Sequence, residues 1–128
     1  MSPLTHVLAL YGLVVIVTIL AQVMSAAQKL EFSQLAGNRE SLPSLTGMAG
    51  RLDRAQMNSV VAMALVAPPI LILAQAGVVV GGALTAAWLF LIARIVYVVV
   101  YAMGIPYLRT AVWLVGFFAT VWLYLLAI

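Results

Sequence analysis

Residues 86–101 read AAWLFLIARIVYVVVY, an apolar run that carries one charged side chain, Arg94, deep inside it. An ionised side chain at membrane depth costs roughly 2.5 to 3.5 kcal/mol even on lenient insertion scales, so a retained one indicates a partner, a cavity or a ligand. Tyr97 and Tyr101 follow at helical spacing, which places all three polar groups on one face of a helix. We therefore expect the function of the chain to lie along this face.

The composition of the whole chain indicates the solvent in which it folds. The 128 residues are 66% hydrophobic and 7% charged, and their mean hydropathy is +1.22. Four apolar stretches are each close in length to the ~20 residues that cross the hydrocarbon core of a bilayer. They are residues 4–27, 54–75, 82–101 and 110–128. The sequence predicts an all-α fold, with residues 1–128 forming one integral membrane domain built as a four-helix bundle.

The same composition argues against several classes of function. The chain has no cysteine, which excludes disulfides, thiolate metal sites and cysteine nucleophiles, and its one histidine and three acidic residues leave little for a metal site. It has no glycine-rich phosphate loop with a lysine. The net charge of +3 is explained by membrane topology. We therefore expect neither a bound metal nor a nucleic-acid partner.

The first apolar stretch has an alternative interpretation as a signal peptide. Small residues at Ser25, Ala26 and Ala27 offer a cleavage position. No lysine or arginine precedes the apolar run, however, and the run exceeds the roughly 7 to 15 residues of a signal h-region. We expect the segment to be retained as a membrane helix.

The basic residues predict the orientation in the membrane. Lys29, Arg39, Arg51 and Arg54 lie in or beside the connection between the first two stretches, and Arg109 lies between the last two. With four spans both connections face the same side, and the positive-inside bias assigns them to the cytoplasm and both termini to the outside. Because the polar groups crowd toward this side, we expect a polar ligand to bind there.

A second polar face begins the second apolar stretch. Arg51, Arg54 and Asn58 are spaced by three and four residues, so they share one side of a helix at about the depth of the Arg94 face. Two basic faces that meet at one end of a bundle repel each other unless an anion lies between them. The pattern therefore favours an anionic ligand.

At these residues the chain resembles the membrane-associated proteins in eicosanoid and glutathione metabolism, the MAPEG family, and within it the short prokaryotic members. The resemblance extends over most of the chain. It rests on residues 54–59 (RAQMNS), residues 93–97 (ARIVY) with Tyr101, Pro106 and Arg109, Trp113 with Gly116, and residues 37–43 (GNRESLP) followed by Leu45, Thr46 and Gly47.

The resemblance implies a homotrimer in the bacterial inner membrane, with glutathione bound between adjacent subunits near the cytoplasmic side. A further argument for the trimer is that a single four-helix unit is expected to expose Arg94 or its polar neighbours to lipid. The implied glutathione-binding residues are Arg54, Asn58, Arg94, Tyr97 and Tyr101, and Arg51 joins them by its position on the same polar face.

The resemblance also implies an activity. In relatives, the arginine that matches Arg109 lies near the sulfur of glutathione and favours the thiolate. This agrees with elementary chemistry, because a cation lowers the pKa of a nearby thiol. The implied activity is that of a glutathione-dependent transferase or peroxidase acting on lipophilic electrophiles or hydroperoxides, which would arrive through the lipid.

One position departs from the family pattern. The family often has a glutamate three residues after the asparagine, where it can pair with the ammonium of glutathione, and this chain has Val61 there. A valine leaves that ammonium without an ion pair, which weakens the case for glutathione. The alternative function is therefore a non-catalytic membrane protein that binds a lipid or a protein partner in the same intersubunit cleft.

Each candidate residue also has a structural explanation. Arg94 could pair with Asp53 or with carbonyls of a neighbouring helix, and its two tyrosines could be interface anchors. Asn58 could provide an interhelical hydrogen bond worth about 0.6 kcal/mol. Arg109 lies where membrane topology alone would place an arginine. The sequence leaves these alternatives open.

Overall fold

Four α-helices account for nearly all of residues 2–27, 47–77 and 82–128, which are the residues that the computed structural model describes. The helices are α1 (Pro3–Ala27), α2 (Gly47–Gln75), α3 (Ala83–Met103) and α4 (Pro106–Ala127). All four are long and apolar enough to cross a membrane. The described residues contain no strand, so the prediction of an all-α chain with four apolar helices is confirmed.

Two of the helices begin before the apolar spans that the sequence predicts. Helix α2 begins at Gly47, ahead of the predicted start of the second span, so that Arg51 and Arg54 project from a helix. Helix α4 begins at Pro106, and Arg109 lies in its first turn. Proline is favoured at the first helical position because its missing N–H would have no partner there. The basic side chains are therefore held by regular backbone.

The helices pack as two pairs, α1 with α2 and α3 with α4, and α3 also contacts α1 and α2. Half of the most apolar window of α3 is buried, compared with 22–28% for the other three helices, so α3 is the centre of the bundle. Small side chains at Ala83, Ala86, Ala87 and Ala93 lie on its buried faces. Small residues let helix backbones approach closely, which is the usual packing mode within membranes.

The core and the outer surface are both apolar. The largest fully buried side chains include Tyr11, Phe90 and Leu123. The rings of Tyr11 and Phe90 pack edge to face, with 4.8 Å between their centroids. The outer faces expose large apolar residues such as Leu13 and Phe118. A surface of this kind is a liability in water and is ordinary in contact with lipid.

A tight turn joins α3 to α4 and positions the residues on both sides of it. Gly104 adopts φ 76°, its N–H donates to the Tyr101 carbonyl at 3.0 Å, and the Ile105 N–H donates to the Val100 carbonyl at 3.2 Å. This pair of bonds is a Schellman motif, which usually requires glycine at the left-handed position. The turn brings the first residues of α4 back over the last turn of α3.

Candidate functional site

Three arginines lie at the end of the bundle where α2 begins, α3 ends and α4 begins, which we call the basic end. Two of them converge on Tyr101: Arg54 Nε donates to the Tyr101 hydroxyl at 3.1 Å, and Arg109 Cζ lies 4.6 Å from the centre of the Tyr101 ring. Contact between a guanidinium and an aromatic face is favourable because the ring face carries negative partial charge. Tyr101 thus holds cations from α2 and α4 together.

The third arginine at the basic end, Arg51, is bound to the backbone. Its Nε donates to the Ala102 carbonyl at 2.9 Å, beside the Gly104 turn. The last carbonyls of a helix carry negative partial charge, so a cation at this position is stabilised. Arg51 therefore ties the start of α2 to the end of α3 and is half-buried.

A row of alternating aromatic and cationic groups continues from the basic end into the bundle. The edge of one ring meets the face of the other between Tyr97 and Tyr101, at 5.5 Å between centroids. Arg94 Cζ lies 4.2 Å from the centre of the Tyr97 ring. The polar face predicted for Arg94, Tyr97 and Tyr101 is therefore a contiguous stack, with its deepest member at Arg94.

Arg94 is linked to two other helices through Ser59. It is only 2% exposed, and its Nη2 donates to the Ser59 hydroxyl at 3.3 Å. The Ser59 hydroxyl donates to the Ala55 carbonyl at 2.7 Å, and the Tyr11 hydroxyl donates to the Ser59 carbonyl at 2.8 Å. Helices α1, α2 and α3 are therefore linked by polar contacts at one level.

These contacts answer two of the questions left by the sequence. Asp53 accepts a hydrogen bond from Gln56 at 3.0 Å, and the partner of Arg94 is the hydroxyl of Ser59. A single chain already buries Arg94 almost completely, whereas Arg54 is exposed, so within the described residues only the polar neighbours bear on the argument for a trimer.

A cavity of about 190 Å³ opens between α2 and α4, with α3 as its floor. Asn58, Val61 and Arg94 lie in its wall together with Trp113 and Phe117 of α4. Two buried polar atoms at this level have no hydrogen-bond partner within the described residues, Arg94 Nε and Asn58 Oδ1. Because native proteins pair most of their buried polar groups, each orphan needs an explanation.

The structure thus separates the predicted site residues into two levels. Arg51, Arg54, Tyr101 and Arg109 form the basic end, while Asn58 and Arg94 lie deeper, at the cavity, with Tyr97 between the two levels. Lys29, Arg39 and the loop segment 37–43 lie outside the described residues.

Sequence reasoning missed two members of the polar network, Tyr11 and Ser59. Tyr11 is the only tyrosine in the first apolar stretch, and Ser59 directly follows Asn58. These signals are present in the sequence, but nothing in a single sequence aligns residue 11 of one helix with residue 59 of another.

Fold and site together define an integral membrane protein with four apolar helices among its described residues, whose buried arginine and basic end lie along one polar stack. The family model of the MAPEG family matches residues 4–128, and the chain belongs to this family. No curated protein and no solved structure matches the chain.

Proposed function

We propose that the protein is a glutathione-dependent membrane enzyme, either a transferase that conjugates lipophilic electrophiles or a peroxidase that reduces lipophilic hydroperoxides. The observation that carries the proposal is the convergence of Arg54 and Arg109 on one tyrosine, Tyr101. Guanidinium groups gathered in this way repel each other, and an anion bound among them relieves the repulsion. Membership of the MAPEG family makes glutathione, which has two carboxylates and a thiol, the anion to test.

Each residue has a role in this proposal. Arg51, Arg54, Tyr97 and Tyr101 hold the tripeptide near the basic end, and its deeper part reaches Asn58 and Arg94. Arg109 is the catalytic residue: its cation, placed near the sulfur, lowers the pKa of the thiol so that a thiolate forms at neutral pH. In conjugation the thiolate forms a bond to carbon, and the displaced electron pair leaves with the leaving group or the opened ring oxygen.

The proposed assembly is a homotrimer in the bacterial inner membrane, with glutathione between subunits at the cytoplasmic side. Support comes from the exposed position of Arg54 in the single chain, which a neighbouring subunit would cover. Crosslinking in mild detergent should give species of up to three subunits. A protein that stays strictly monomeric in native membranes would contradict the intersubunit site.

The first test is calorimetry with glutathione on the detergent-solubilised protein, combined with the absorbance of the bound thiolate. Arg109→Ala should lower the thiolate signal at pH 7 with little loss of affinity, and Arg109→Lys should restore part of the signal because it keeps the charge. Arg54→Ala should instead weaken affinity. The proposal fails if millimolar glutathione gives no heat, or if Arg109→Ala leaves the thiolate absorbance unchanged.

A second test uses the departure at Val61. Val61 is 55% exposed and lines the cavity beside Asn58, so Val61→Glu should fold and place a carboxylate near the ligand ammonium. A well-formed pair should tighten glutathione binding by about 1 to 3 kcal/mol. Val61→Gln is the matched neutral control, and glutathione without its amino group is the control ligand. Equal gains for both ligands would show that the new carboxylate does not meet the ammonium.

The alternative function is a non-catalytic membrane protein that binds a lipid or a protein partner in the same intersubunit cleft. The observation in its favour is Val61, which leaves an apolar side chain where many relatives have glutamate. Absence of glutathione binding in the calorimetry would favour this alternative over the enzyme.

A further inference from the structure

The start of α4, which carries Arg109, has no capping side chain within the described residues. Helix α4 begins at Pro106 after an N-cap at Ile105 that makes no side-chain hydrogen bond, and the Arg109 N–H donates to the Ile105 carbonyl at 3.3 Å. A helix start without a capping side chain is less firmly held, because its first N–H groups have no partner within the helix. The position of Arg109 therefore depends on whatever holds the turn that precedes Ile105.

Arg51 holds this turn at a carbonyl that the helical backbone cannot satisfy. In an α-helix the carbonyl of residue 102 accepts from the N–H of residue 106, but Pro106 has no N–H. The donor that reaches the Ala102 carbonyl is Arg51 Nε, at 2.9 Å. A Cβ on Gly104 would lie 3.4 Å from Arg51 Nε and 3.5 Å from its Cζ, so the guanidinium also lies against the turn itself. Arg51 thus fastens the last turn of α3 immediately before the chain enters α4.

The two arginines that α2 contributes to the basic end make different contacts. Arg54 is exposed and donates from Nε to the Tyr101 hydroxyl, whereas Arg51 is half-buried and donates to the backbone. Arg109 in turn packs on the face of Tyr101, with its Cζ 4.6 Å from the centre of the ring. Arg51 therefore fixes the stretch of backbone that carries both Tyr101 and Arg109.

We propose that Arg51 is a positioning residue for Arg109, holding the turn between α3 and α4 so that the Arg109 cation stays at the sulfur of bound glutathione. This role rests on the proposed function and is separate from any contact of Arg51 with the tripeptide. The effect of a cation on the pKa of a thiol weakens with distance, and a displacement of about 1 Å at a reacting group can cost on the order of 100-fold in rate. Releasing the turn should therefore reduce thiolate formation although Arg51 itself does not touch the sulfur.

The test measures the thiolate absorbance of the detergent-solubilised protein saturated with glutathione, titrated against pH. Arg51→Met keeps an unbranched side chain but removes the donor and the charge, and it should lower the thiolate signal at pH 7 by about threefold or more. Arg51→Lys should recover part of the signal, because its ammonium can still donate to the Ala102 carbonyl. Saturation separates this effect from affinity, so weaker binding alone does not lower the signal.

Gly104→Ala perturbs the same turn without removing a charge. Gly104 has φ +76° and its new Cβ would meet Arg51 Nε at 3.4 Å, so the thiolate signal at saturation should fall in the same direction. Gly77→Ala is the matched control, because Gly77 has φ +66° but no atom of the described residues within 4 Å of an added Cβ. It follows the end of α2 that lies farthest from Arg51. This variant bears the same kind of backbone strain away from the basic end and should change the signal by less than about 1.5-fold.

A double-mutant cycle with Arg109→Ala tests whether Arg51 acts through Arg109. If it does, Arg51→Met and Gly104→Ala should have no further effect on the pH at which the thiolate forms once residue 109 is alanine. A direct electrostatic effect of Arg51 on the sulfur would instead add to the loss from Arg109→Ala.

Three results would overturn the proposal: an unchanged thiolate signal at saturation in Arg51→Met, additive effects of Arg51→Met and Arg109→Ala, or equal losses in Gly104→Ala and Gly77→Ala. Arg51→Lys and Gly104→Ala decide the same question if Arg51→Met does not fold. If Arg109→Ala lowers the signal while Arg51→Met does not, the proposed function stands and only the positioning role is lost. If glutathione does not bind, or if Arg109→Ala leaves the signal unchanged, the proposed function is lost and the positioning role with it.

Discussion

Ser59→Ala is the most direct perturbation of the network that holds Arg94. It removes the hydroxyl that accepts the hydrogen bond from Arg94 Nη2. The Nε of the same arginine already lacks a partner within the described residues. Hydrogen bonds to charged groups contribute about 1.5–3 kcal/mol in soluble proteins, but interhelical bonds within membranes average about 0.6 and reach about 1.7 kcal/mol. Since the 3.3 Å distance is longer than the usual N–H···O separation, we expect a loss of about 1 kcal/mol in the free energy of unfolding.

Tyr11→Phe removes the hydroxyl that donates to the backbone carbonyl of Ser59, and it should lower the free energy of unfolding by less than Ser59→Ala does. The Tyr11 hydroxyl donates to the Ser59 carbonyl at 2.8 Å, but α2 continues past Ser59, so this carbonyl also lies within the hydrogen-bond ladder of its own helix. Loss of the Tyr11 hydroxyl, the second donor to this carbonyl, should lower the free energy of unfolding by about 0.5 kcal/mol. Thr110→Ala is the control, because the Thr110 hydroxyl is exposed and bonds only to the Pro106 carbonyl of its own helix within the described residues.

The assay is reversible unfolding in mixed micelles, followed by circular dichroism and arranged as a double-mutant cycle between Ser59→Ala and Arg94→Met. The coupling free energy should be about 1 kcal/mol and should vanish for Thr110→Ala with Arg94→Met. Ser59→Thr retains the hydroxyl and should recover part of the coupling. A coupling below about 0.3 kcal/mol would refute the reasoning, because that is within the additivity expected of independent sites.

Three further predictions concern the turn, the packing and the orientation. Gly104→Ala should lower the free energy of unfolding by about 1–2 kcal/mol, because Gly104 has φ +76° and a Cβ there would lie 3.4 Å from Arg51 Nε. The unfolding midpoint measures this loss, and an unchanged midpoint would contradict the prediction. Gly116→Ala should stay within about 1 kcal/mol of the wild type in the same assay, since its Cβ would meet Arg94 Cδ at an ordinary 3.6 Å. A reporter fused after Ile128 should be active only outside the cytoplasm, and activity in the cytoplasm would reverse the proposed topology.

The architecture could be predicted from the sequence because membrane helices obey a strong local rule. A segment in lipid must satisfy its own backbone hydrogen bonds, so a sufficiently long apolar run indicates a helix whatever the tertiary context. The starts of α2 and α4 were harder to predict. Gly47 and Pro106 begin their helices ahead of the most apolar residues, because backbone near the membrane surface can remain helical while carrying arginines. Hydropathy therefore locates the apolar helices better than it locates their ends.

The candidate site was predictable within one helix and not between helices. Spacing alone places Arg94, Tyr97 and Tyr101 on one face, and the stack confirms that relation. The hydrogen bond from Arg94 to Ser59 depends on how α2 and α3 are offset along their axes, and packing of the whole bundle sets this offset. The contact of Tyr11 with Ser59 depends in the same way on the axial offset of α1. Axial offsets between helices leave no periodic signal in one sequence.

The cavity links the departure at Val61 to the orphaned nitrogen of Arg94. Both residues line the same cavity, so a carboxylate at position 61 has two candidate partners, the ammonium of a bound glutathione and the guanidinium of Arg94. If Val61→Glu paired with Arg94, it would occupy a cation assigned to the glutathione site, and glutathione should bind more weakly. If it paired with the ammonium, glutathione should bind more tightly. Because Val61→Gln fills similar space without charge, comparing glutathione affinity between Val61→Glu and Val61→Gln assigns the introduced charge to one partner or the other.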